Sequence, residues 1–252
     1  MNIYNQLLEV IQIKGAAFLV LLDPDNLHEE KVARFASHCE MSGVDGFLVG
    51  GSLLLNDNLD SFLLKLKAVT TLPAIIFPGD VNQISSKADA ILYLSVVSGR
   101  NPEHLIGKHV LAAPIIRKCR IEPIATGYLL IESGRTTTAQ YMSGSLPIPR
   151  NKPGIAAASA LAAEYLGMKL IYLEAGSGAD NSIPNEMVKA VSTLCTIPVV
   201  VGGGIKTPAT AKEKVENGAK IIVTGNFFED EKNWNLIKDF AEAVHFNLPV
   251  PA

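Results

Sequence analysis

Two acidic motifs stand where apolar runs of the sequence end, and carboxylates in such places can do chemistry. Asp23 and Asp25 flank a proline in LLDPDN, and Glu174 ends an apolar run in YLEAGSG. Carboxylate oxygens are the ligands that Mg²⁺ prefers, and a carboxylate also accepts protons. The motifs therefore predict a cation at Asp23 and a proton acceptor at Glu174. Two structural alternatives stay open: LLDPDN is typical of a turn that caps a helix, and Glu174 can simply pair with a nearby cation.

Ser52, in VGGSLL, is a further oxygen donor that follows an apolar run. Its hydroxyl is expected to join Asp23 as a metal ligand, although a serine here is also a common helix N-cap. The five histidines have no metal-binding spacing, and the three cysteines lie away from the ends of the apolar runs. Zinc, Ser-His-Asp and Cys-His chemistry therefore have little support.

Glycines cluster at three similar junctions. Gly203 and Gly204 follow a run of valines in VVVGGGI, Gly225 and Asn226 belong to IIVTGN, and Gly176-Ser177-Gly178 follows Glu174. Glycines let backbone N–H groups converge on an anion without side chains in the way. Together these motifs predict a phosphate site, whereas the glycine triplet taken alone is equally typical of a flexible turn.

Eight apolar, β-rich runs and several helical segments follow one another along the chain. The runs begin at residues 16, 46, 74, 90, 125, 170, 198 and 221, and the helical segments are 28–41, 59–69, 156–166, 184–194, 207–217 and 234–244. Runs that are apolar throughout indicate strands covered on both faces, as in parallel sheets. The order predicts one (β/α)8 TIM barrel domain over 1–252. An open doubly wound sheet is the alternative, but no glycine-rich loop follows the first run.

Two connections depart from a regular barrel. The segment between Phe77 and Ala88 has little more than one turn of helical pattern, which predicts a reduced third helix. The stretch 134–153 is rich in Gly, Pro, Ser and Thr, and it is long enough to form a mobile flap over a site.

Thr207-Pro208 predicts a helix N-cap followed by a first-turn proline, and Pro184 is also expected in a first turn. In such a barrel the loops after strands seven and eight form the usual phosphate site.

The composition of the chain indicates which class of partner and which cellular compartment to expect. The formal net charge is -3 and the pI is near 6.0, which disfavours a nucleic-acid partner and favours small molecules. The mean hydropathy of +0.24 supports a large core, and no apolar run is long enough to span a membrane. Three widely spaced cysteines and an N-terminal segment that carries Glu9 without a basic start predict a cytoplasmic protein.

The motifs LLDPDN, VGGS, YLEAGSG, VGGGI and TGN, in this order, resemble the geranylgeranylglyceryl phosphate synthases and their bacterial heptaprenylglyceryl phosphate relatives. The resemblance extends from the first apolar run to the eighth. It implies a TIM barrel that joins a prenyl diphosphate to sn-glycerol 1-phosphate, releases diphosphate, requires Mg²⁺ and makes an ether lipid precursor.

The resemblance also implies a role for individual residues. Asp23 and Ser52 match the two metal ligands of the family, and Glu174 matches the acceptor of the glycerol hydroxyl proton. The glycerol phosphate motif corresponds to Tyr172, Leu173, Glu174, Ala175, Gly176, Ser177 and Gly178, and the backbone phosphate site to Gly203, Gly204, Gly225 and Asn226.

One departure from the family pattern concerns Leu21, where some members carry a lysine that contacts phosphate. Arg100 and Lys206 are candidate replacements for that contact.

The stretch from Ser95 to Val110 resembles the longer-chain subgroup, whose members form hexamers, so a homo-oligomer, dimer or hexamer, is expected. A C20 tail needs an apolar groove, which the small residues of 154–163 can line, although an alanine-rich helix is more often simple packing. Because the product is lipid-like, peripheral membrane contact is a further expectation.

The leading hypothesis is therefore a Mg²⁺-dependent prenyltransferase that acts on glycerol 1-phosphate. A sugar-phosphate isomerase or lyase is an alternative, since Asp23 and Glu174 could form an acid–base pair across the barrel mouth. A non-catalytic protein that binds a phosphometabolite is another alternative, because the fold alone does not exclude it.

Overall fold

The computed structural model describes residues 2–27 and 29–245, and its centre is a closed barrel of eight parallel strands. Neighbouring strands pair in chain order, and β8 pairs with β1 to close the barrel. The strands are β1 (Ala17–Leu22), β2 (Gly46–Val49), β3 (Ala74–Ile76), β4 (Ala90–Val96), β5 (Glu122–Leu130), β6 (Leu170–Glu174), β7 (Val199–Gly202) and β8 (Ile221–Thr224). The predicted TIM barrel and all eight of its strands are confirmed.

Helices surround the barrel. They are α1 (Ile3–Lys14), α2 (Glu29–Met41), α3 (Leu59–Lys67), α4 (Lys108–Cys119), α5 (Thr138–Ser143), α6 (Pro153–Tyr165), α7 (Asn185–Leu194), α8 (Pro208–Glu216) and α9 (Ile237–Val244). Five of the six predicted helical segments contain one of these helices in full, and the sixth, 156–166, overlaps α6, which begins three residues earlier at Pro153. The predicted start of the first segment, His28, lies outside the described residues.

The sequence pattern missed three helices, α1, α4 and α5, misplaced the start of α7 and merged two helices into one segment. Helix α1 precedes the barrel, and α4 continues a short π-helical stretch, Glu103–Gly107. Pro114 lies inside α4, which obscures the helical pattern because proline usually ends a helix. Pro184 is the N-cap residue of α7 instead of a first-turn residue. Residues Glu231–Leu236 form a 3₁₀-helix before α9, so the predicted segment 234–244 is two helices.

The core has two layers because successive strand side chains point to opposite sides of a sheet. One set fills the barrel interior, for example Leu19, Leu48 and Ile75. The alternate set, for example Phe18 and Phe47, packs against the surrounding helices. Burial on both sides explains why the strands are apolar throughout.

The third unit of the barrel has no α-helix between β3 and β4, where residues 77–89 form turns and irregular backbone. The predicted reduction of the third helix is thus confirmed. Gln83 is almost fully buried and ties this segment to the loop after β2: its amide donates to the carbonyl of Gly51 at 2.9 Å and its oxygen accepts from the N–H of Gly79. With no helix to cover it, this side of the sheet has a cleft.

Within the described ranges, no helix combines the length and apolarity needed to cross a bilayer. The cytoplasmic location and the absence of a nucleic-acid partner stay predictions.

Candidate functional site

The predicted site residues meet at one end of the barrel because the carboxyl ends of parallel strands lie together. Asp23 directly follows β1, Glu174 is the last residue of β6, and Gly203 follows β7. They line two adjoining cavities with volumes of about 490 and 840 Å³. Both cavities have in their walls Leu21, Phe77, Ser177, Gly225 and Asn226.

Asp23 and Ser52 line the smaller cavity together, as the sequence predicted. Asp23 Oδ1 accepts a hydrogen bond from the Asp25 N–H at 2.9 Å, and Asp23 Oδ2 accepts one from the Asn26 side chain at 3.3 Å. Burial raises the pKa of Asp23, and the charge of Asp25 raises it further, while the backbone bond opposes this. Asp25 itself binds the N–H of Leu55 at 2.6 Å, so it stabilises the loop after β2.

Glu229 is a third acidic residue at this cavity, and sequence reasoning missed it. It follows a 3₁₀-turn after β8, Asn226–Phe228, and its Oε1 accepts a hydrogen bond from the Asn26 side chain at 3.2 Å. Burial raises the pKa of Glu229, and the charge of Asp23 raises it further. The signal in the sequence was its position three residues after the TGN motif.

The donors at this cavity fit a hard divalent cation. Asp23, Glu229 and Ser52 offer only oxygen atoms, which suit Mg²⁺. No lysine or arginine of the described chain forms an ion pair with either carboxylate, so their negative charge faces the cavity without a protein counter-charge. Across the described residues, no three His, Cys, Asp or Glu side chains are grouped as a complete metal cage.

The larger cavity is formed by the predicted glycine motifs. Gly176, Gly178, Gly203 and Gly204 all have positive φ, between 67° and 101°, a conformation that L-residues with a side chain rarely adopt. Their backbones line the cavity together with Gly225 and Asn226. Ser177 donates a hydrogen bond to the Asn226 side-chain oxygen, which joins two of the predicted motifs.

Gly203 allows a particularly close approach of two loops. A Cβ atom there would lie 2.6 Å from both Glu174 Oε1 and the backbone nitrogen of Gly176. No larger residue fits without displacing one of them. The glycine at this position is thus needed for the contact between the β7 loop and the end of β6.

Glu174 is buried at the wall of the larger cavity. Its Oε1 accepts a hydrogen bond from the Gly176 N–H at 2.6 Å. Burial raises the pKa of Glu174 to about 7, although the bonds from Gly176, Tyr172 and Tyr128 favour the ionised form. A carboxyl group with this pKa can accept and return a proton near neutral pH.

An aromatic cluster lies beside Glu174, and two of its three members were not predicted. Phe77 stacks on Tyr172 with ring centroids 5.3 Å apart, and Tyr128 lies 5.4 Å from Tyr172. Burial and the charge of Glu174 raise the pKa of both tyrosines, so both hydroxyls stay protonated and can donate. Tyr128 could have been identified only by the register of β5 with β6, where it lies opposite Tyr172.

Two residues of the predicted glycerol phosphate motif point away from the cavity. The side chains of Leu173 and Ala175 belong to the layer that packs against the helices. The alternation along β6 puts Tyr172 and Glu174 inside and leaves their neighbours outside. Only backbone groups of Leu173 and Ala175 remain available near the site.

Only one of the two candidate replacements for the missing lysine lines the site. Leu21 lines both cavities, and Lys206 lines the larger one. Arg100 instead donates to the Gly99 carbonyl at 2.7 Å and lines neither cavity. Of these two candidates, the structure therefore leaves Lys206 beside the glycine loops.

The segment 134–153 lies beside the larger cavity and contains α5. Ala139 of α5 lines this cavity, and Thr137 lies so close to Gly176 that a Cβ atom there would overlap it. Arg135 donates a hydrogen bond to the Gly178 carbonyl. The segment thus covers the glycine loops, as predicted for a flap, while its mobility stays a prediction.

A third cavity of about 460 Å³ lies on the side of the sheet left open by the missing helix, beneath α4. Its walls are mainly apolar and include Ile84, Ile91, Ala112 and Ile116. Pro78 and Gly79 belong to the walls of this cavity and of the smaller one, so the two adjoin. The alanine-rich segment 154–163 does not line it, because the buried alanines of α6 belong to the core.

Known proteins share this chain's sequence and fold over nearly its whole length. Geranylgeranylglyceryl phosphate synthase of Chitinophaga pinensis is 44% identical over 250 residues, which cover 99% of this chain and 98% of that protein. The Pyrococcus horikoshii protein of the same name is 43% identical and covers 92% of this chain and 91% of its own.

A solved structure agrees with the sequence comparison. That of (S)-3-O-geranylgeranylglyceryl phosphate synthase from Thermoplasma acidophilum, in complex with its substrate sn-glycerol-1-phosphate, matches with a TM-score of 0.91 and 34% identity. The match covers 97% of this chain and 99% of that one. A sequence profile described as the PcrB family matches residues 9–244. The chain therefore belongs to the PcrB family.

Proposed function

We propose that this chain is a prenyltransferase that joins geranylgeranyl diphosphate to sn-glycerol 1-phosphate and forms geranylgeranylglyceryl phosphate. The observation that carries the proposal is Glu174, a buried carboxyl group with a pKa of about 7 beside a pocket of glycine loops. The names of the similar proteins support the same reaction.

In this proposal the glycerol phosphate binds in the larger cavity and the diphosphate in the smaller one. The backbone N–H groups around Gly203, Gly204 and Gly225 bind the phosphate of sn-glycerol 1-phosphate, assisted by Lys206. Glu174 accepts the proton of the attacking glycerol hydroxyl. An ether bond forms between that oxygen and C1 of the prenyl chain, and the bond from C1 to the diphosphate oxygen breaks.

The diphosphate leaves into the smaller cavity, where we assign Asp23 and Ser52 as ligands of Mg²⁺. When bound, the cation neutralises the charge that develops on the leaving group. Glu229 faces the same cavity and adds negative charge near the cation.

The third cavity is the proposed place for the prenyl tail. It adjoins the smaller cavity at Pro78 and Gly79, and its apolar walls match a hydrocarbon chain. A tail lying there leaves its diphosphate in the adjoining smaller cavity beside Asp23, and the larger cavity with Glu174 adjoins that one in turn.

We also propose that the chain forms a homo-oligomer, a dimer or a hexamer. Large apolar side chains are exposed on α5, on α6 and just after each, with Tyr141 and Leu146 both 79% exposed and Tyr165 80% exposed. Such groups are frequent in protein interfaces. Sedimentation velocity of the purified chain measures this state directly.

The function is tested with labelled sn-glycerol 1-phosphate, geranylgeranyl diphosphate and Mg²⁺. We expect the label to pass into an organic extract, and we expect chelation of Mg²⁺ to stop the transfer. Asp23→Asn should lower kcat/KM at least about a hundredfold while the thermal midpoint stays near that of the wild type. Asp57→Asn, which changes an exposed loop carboxylate, is the matched control.

Two other results would favour one of the alternative functions instead. Binding of glycerol phosphate without diphosphate release would indicate the non-catalytic alternative. Interconversion of a sugar phosphate in the absence of any prenyl donor would indicate the isomerase or lyase alternative.

A further inference from the structure

The outer face of α4 and the turn before it is apolar and exposed. Ile106 is 61% exposed, Val110 64%, Leu111 60% and Ile115 43%. Helix α4 buries only a narrow stripe, His109, Ala112 and Ile116, against the barrel. The described residues contain no other element packed over the remaining face. Exposed apolar patches of this kind mark contacts with a partner or a membrane.

Basic residues predominate along α4 itself, while the one acidic residue of the preceding turn, Glu103, lies at the opposite end from the C-terminus of the helix. Between residues 104 and 121 the sequence contains Lys108, Arg117, Lys118 and Arg120 and no acidic residue, although the whole chain has a net charge of -3. Lys108 is paired with Asp80 at 2.8 Å. The other three form no ion pair within the described chain. They therefore present an unneutralised basic cluster at the C-terminal end of α4.

The helical spacing places apolar and basic groups on the same side. Val110, Pro114 and Lys118 are four residues apart, and Leu111 and Ile115 form a parallel row. An apolar row that ends in basic side chains matches the interface of a bilayer with anionic headgroups. There the apolar side chains enter the acyl boundary and the cations meet the phosphates.

The opposite side of α4 forms a wall of the apolar third cavity. Ala112 and Ile116 line this cavity, while Leu111 and Ile115 point outward. One helix thus separates the proposed tail cavity from the exposed apolar face. A hydrocarbon chain that leaves a lipid layer at this face has a short path into the cavity.

We propose that the outer face of α4, formed by Ile106, Val110, Leu111, Ile115 and Lys118, docks on an anionic lipid surface. The reason offered for this docking, delivery of a prenyl chain, rests on the proposed function. The docking itself is a binding property and is measured without turnover.

The test is co-sedimentation of the full chain with vesicles of phosphatidylcholine containing about one third phosphatidylglycerol. We expect binding that falls as salt is added and that is much weaker on pure phosphatidylcholine, because the basic cluster contributes by charge. Leu111→Asp and Lys118→Glu should each weaken binding at least about tenfold, since each opposes one of the two contributions.

The matched controls lie on other helices of the same barrel. Leu64→Asp changes a leucine that is 54% exposed on α3, and Lys238→Glu changes an exposed lysine on α9. Both should bind vesicles like the wild type. Loss of binding in the controls as well would show a general charge effect and overturn the assignment to α4.

Turnover with detergent-dispersed substrates separates docking from catalysis. Leu111→Asp and Lys118→Glu should keep full turnover under these conditions, because neither side chain lines a cavity. If no variant or wild-type chain turns over but vesicle binding follows the predicted pattern, the proposed function fails and the docking proposal stands. The docking proposal fails if the wild type does not bind anionic vesicles. It also fails if sedimentation velocity shows that Leu111→Asp dissociates a dimer, which would assign this face to a second copy.

Discussion

At the scale of single residues, the site depends on carboxyl groups whose protonation is set by burial. Glu174 is enclosed among Tyr128, Tyr172 and Gly176, all of which donate hydrogen bonds to it. Burial nevertheless dominates and raises its pKa to about 7. A base in this position is active only when ionised, so kcat/KM should fall about tenfold for each pH unit below 7.

Tyr128→Phe tests this account of Glu174. The Tyr128 hydroxyl favours the carboxylate, so its removal should raise the pKa of Glu174 and move the acid limb of the pH–kcat/KM profile to higher pH. A shift of about one unit is expected, since one unit equals about 1.4 kcal/mol, the order of one hydrogen bond to a charged group. Tyr165→Phe, an exposed position on α6, should leave the profile unchanged. An acid limb that stays in place would show that another group titrates.

At the scale of elements, the anion binding proposed for the glycine loops requires that these loops approach each other closely. Gly203 follows β7 with a φ of 81° and touches the end of β6, which no side chain at that position would permit. The N-cap of α8 supports the same loop: the Thr207 hydroxyl accepts from the Thr210 N–H at 3.1 Å. This N-cap hydrogen bond, which the sequence predicted, fixes the residue at which the loop ends and α8 begins.

Gly203→Ala should weaken binding of sn-glycerol 1-phosphate at least about tenfold, because the added Cβ displaces the Gly176 N–H or Glu174 and the conformation is strained. Isothermal titration calorimetry without the prenyl donor measures this. Gly154→Ala is the control, since its added methyl group would have no neighbour within 4 Å. If the Gly203 variant binds sn-glycerol 1-phosphate with unchanged affinity, the phosphate must bind at other loops.

At the scale of the whole molecule, one buried carboxylate ties the end of α1 and the residue after α9 to the barrel. Asp45 lies just before β2 and accepts bonds from Lys14 at 2.5 Å, the Phe18 N–H at 2.8 Å and His245 at 2.8 Å. Although burial opposes ionisation, the bonds from His245 and Lys14 hold the pKa of Asp45 below its usual value. The opposite end of the barrel carries the site, so this network stabilises the fold without touching substrate.

Asp45→Asn should lower the free energy of unfolding by about 3 kcal/mol at pH 7, since it leaves buried donors poorly matched. Because the folded pKa is depressed, this stabilisation is present above the unfolded pKa and disappears as the pH falls through the folded value. Urea titrations at pH 7 and at about pH 3 should therefore show a smaller difference from the wild type at the lower pH. A difference that is equal at both values would exclude the ionised carboxylate as its cause.

The sequence determined the barrel and the local parts of the site. Eight apolar runs followed by helical segments leave few other ways to cover both faces of a sheet, and a motif placed after a run must lie at the barrel mouth. Asp23, Glu174 and the glycines were found in this way because strand ends, turn residues and caps are local signals.

The tertiary structure alone decided which distant residues meet. Tyr128 reaches Glu174 through the register of two strands, and Asn26 joins Asp23 to Glu229 across about two hundred positions of the chain. Helix α4 was hidden in the sequence by Pro114, and the cavity beneath it exists because the third unit lacks a helix. These features depend on register, burial and packing between remote segments, which no local pattern encodes.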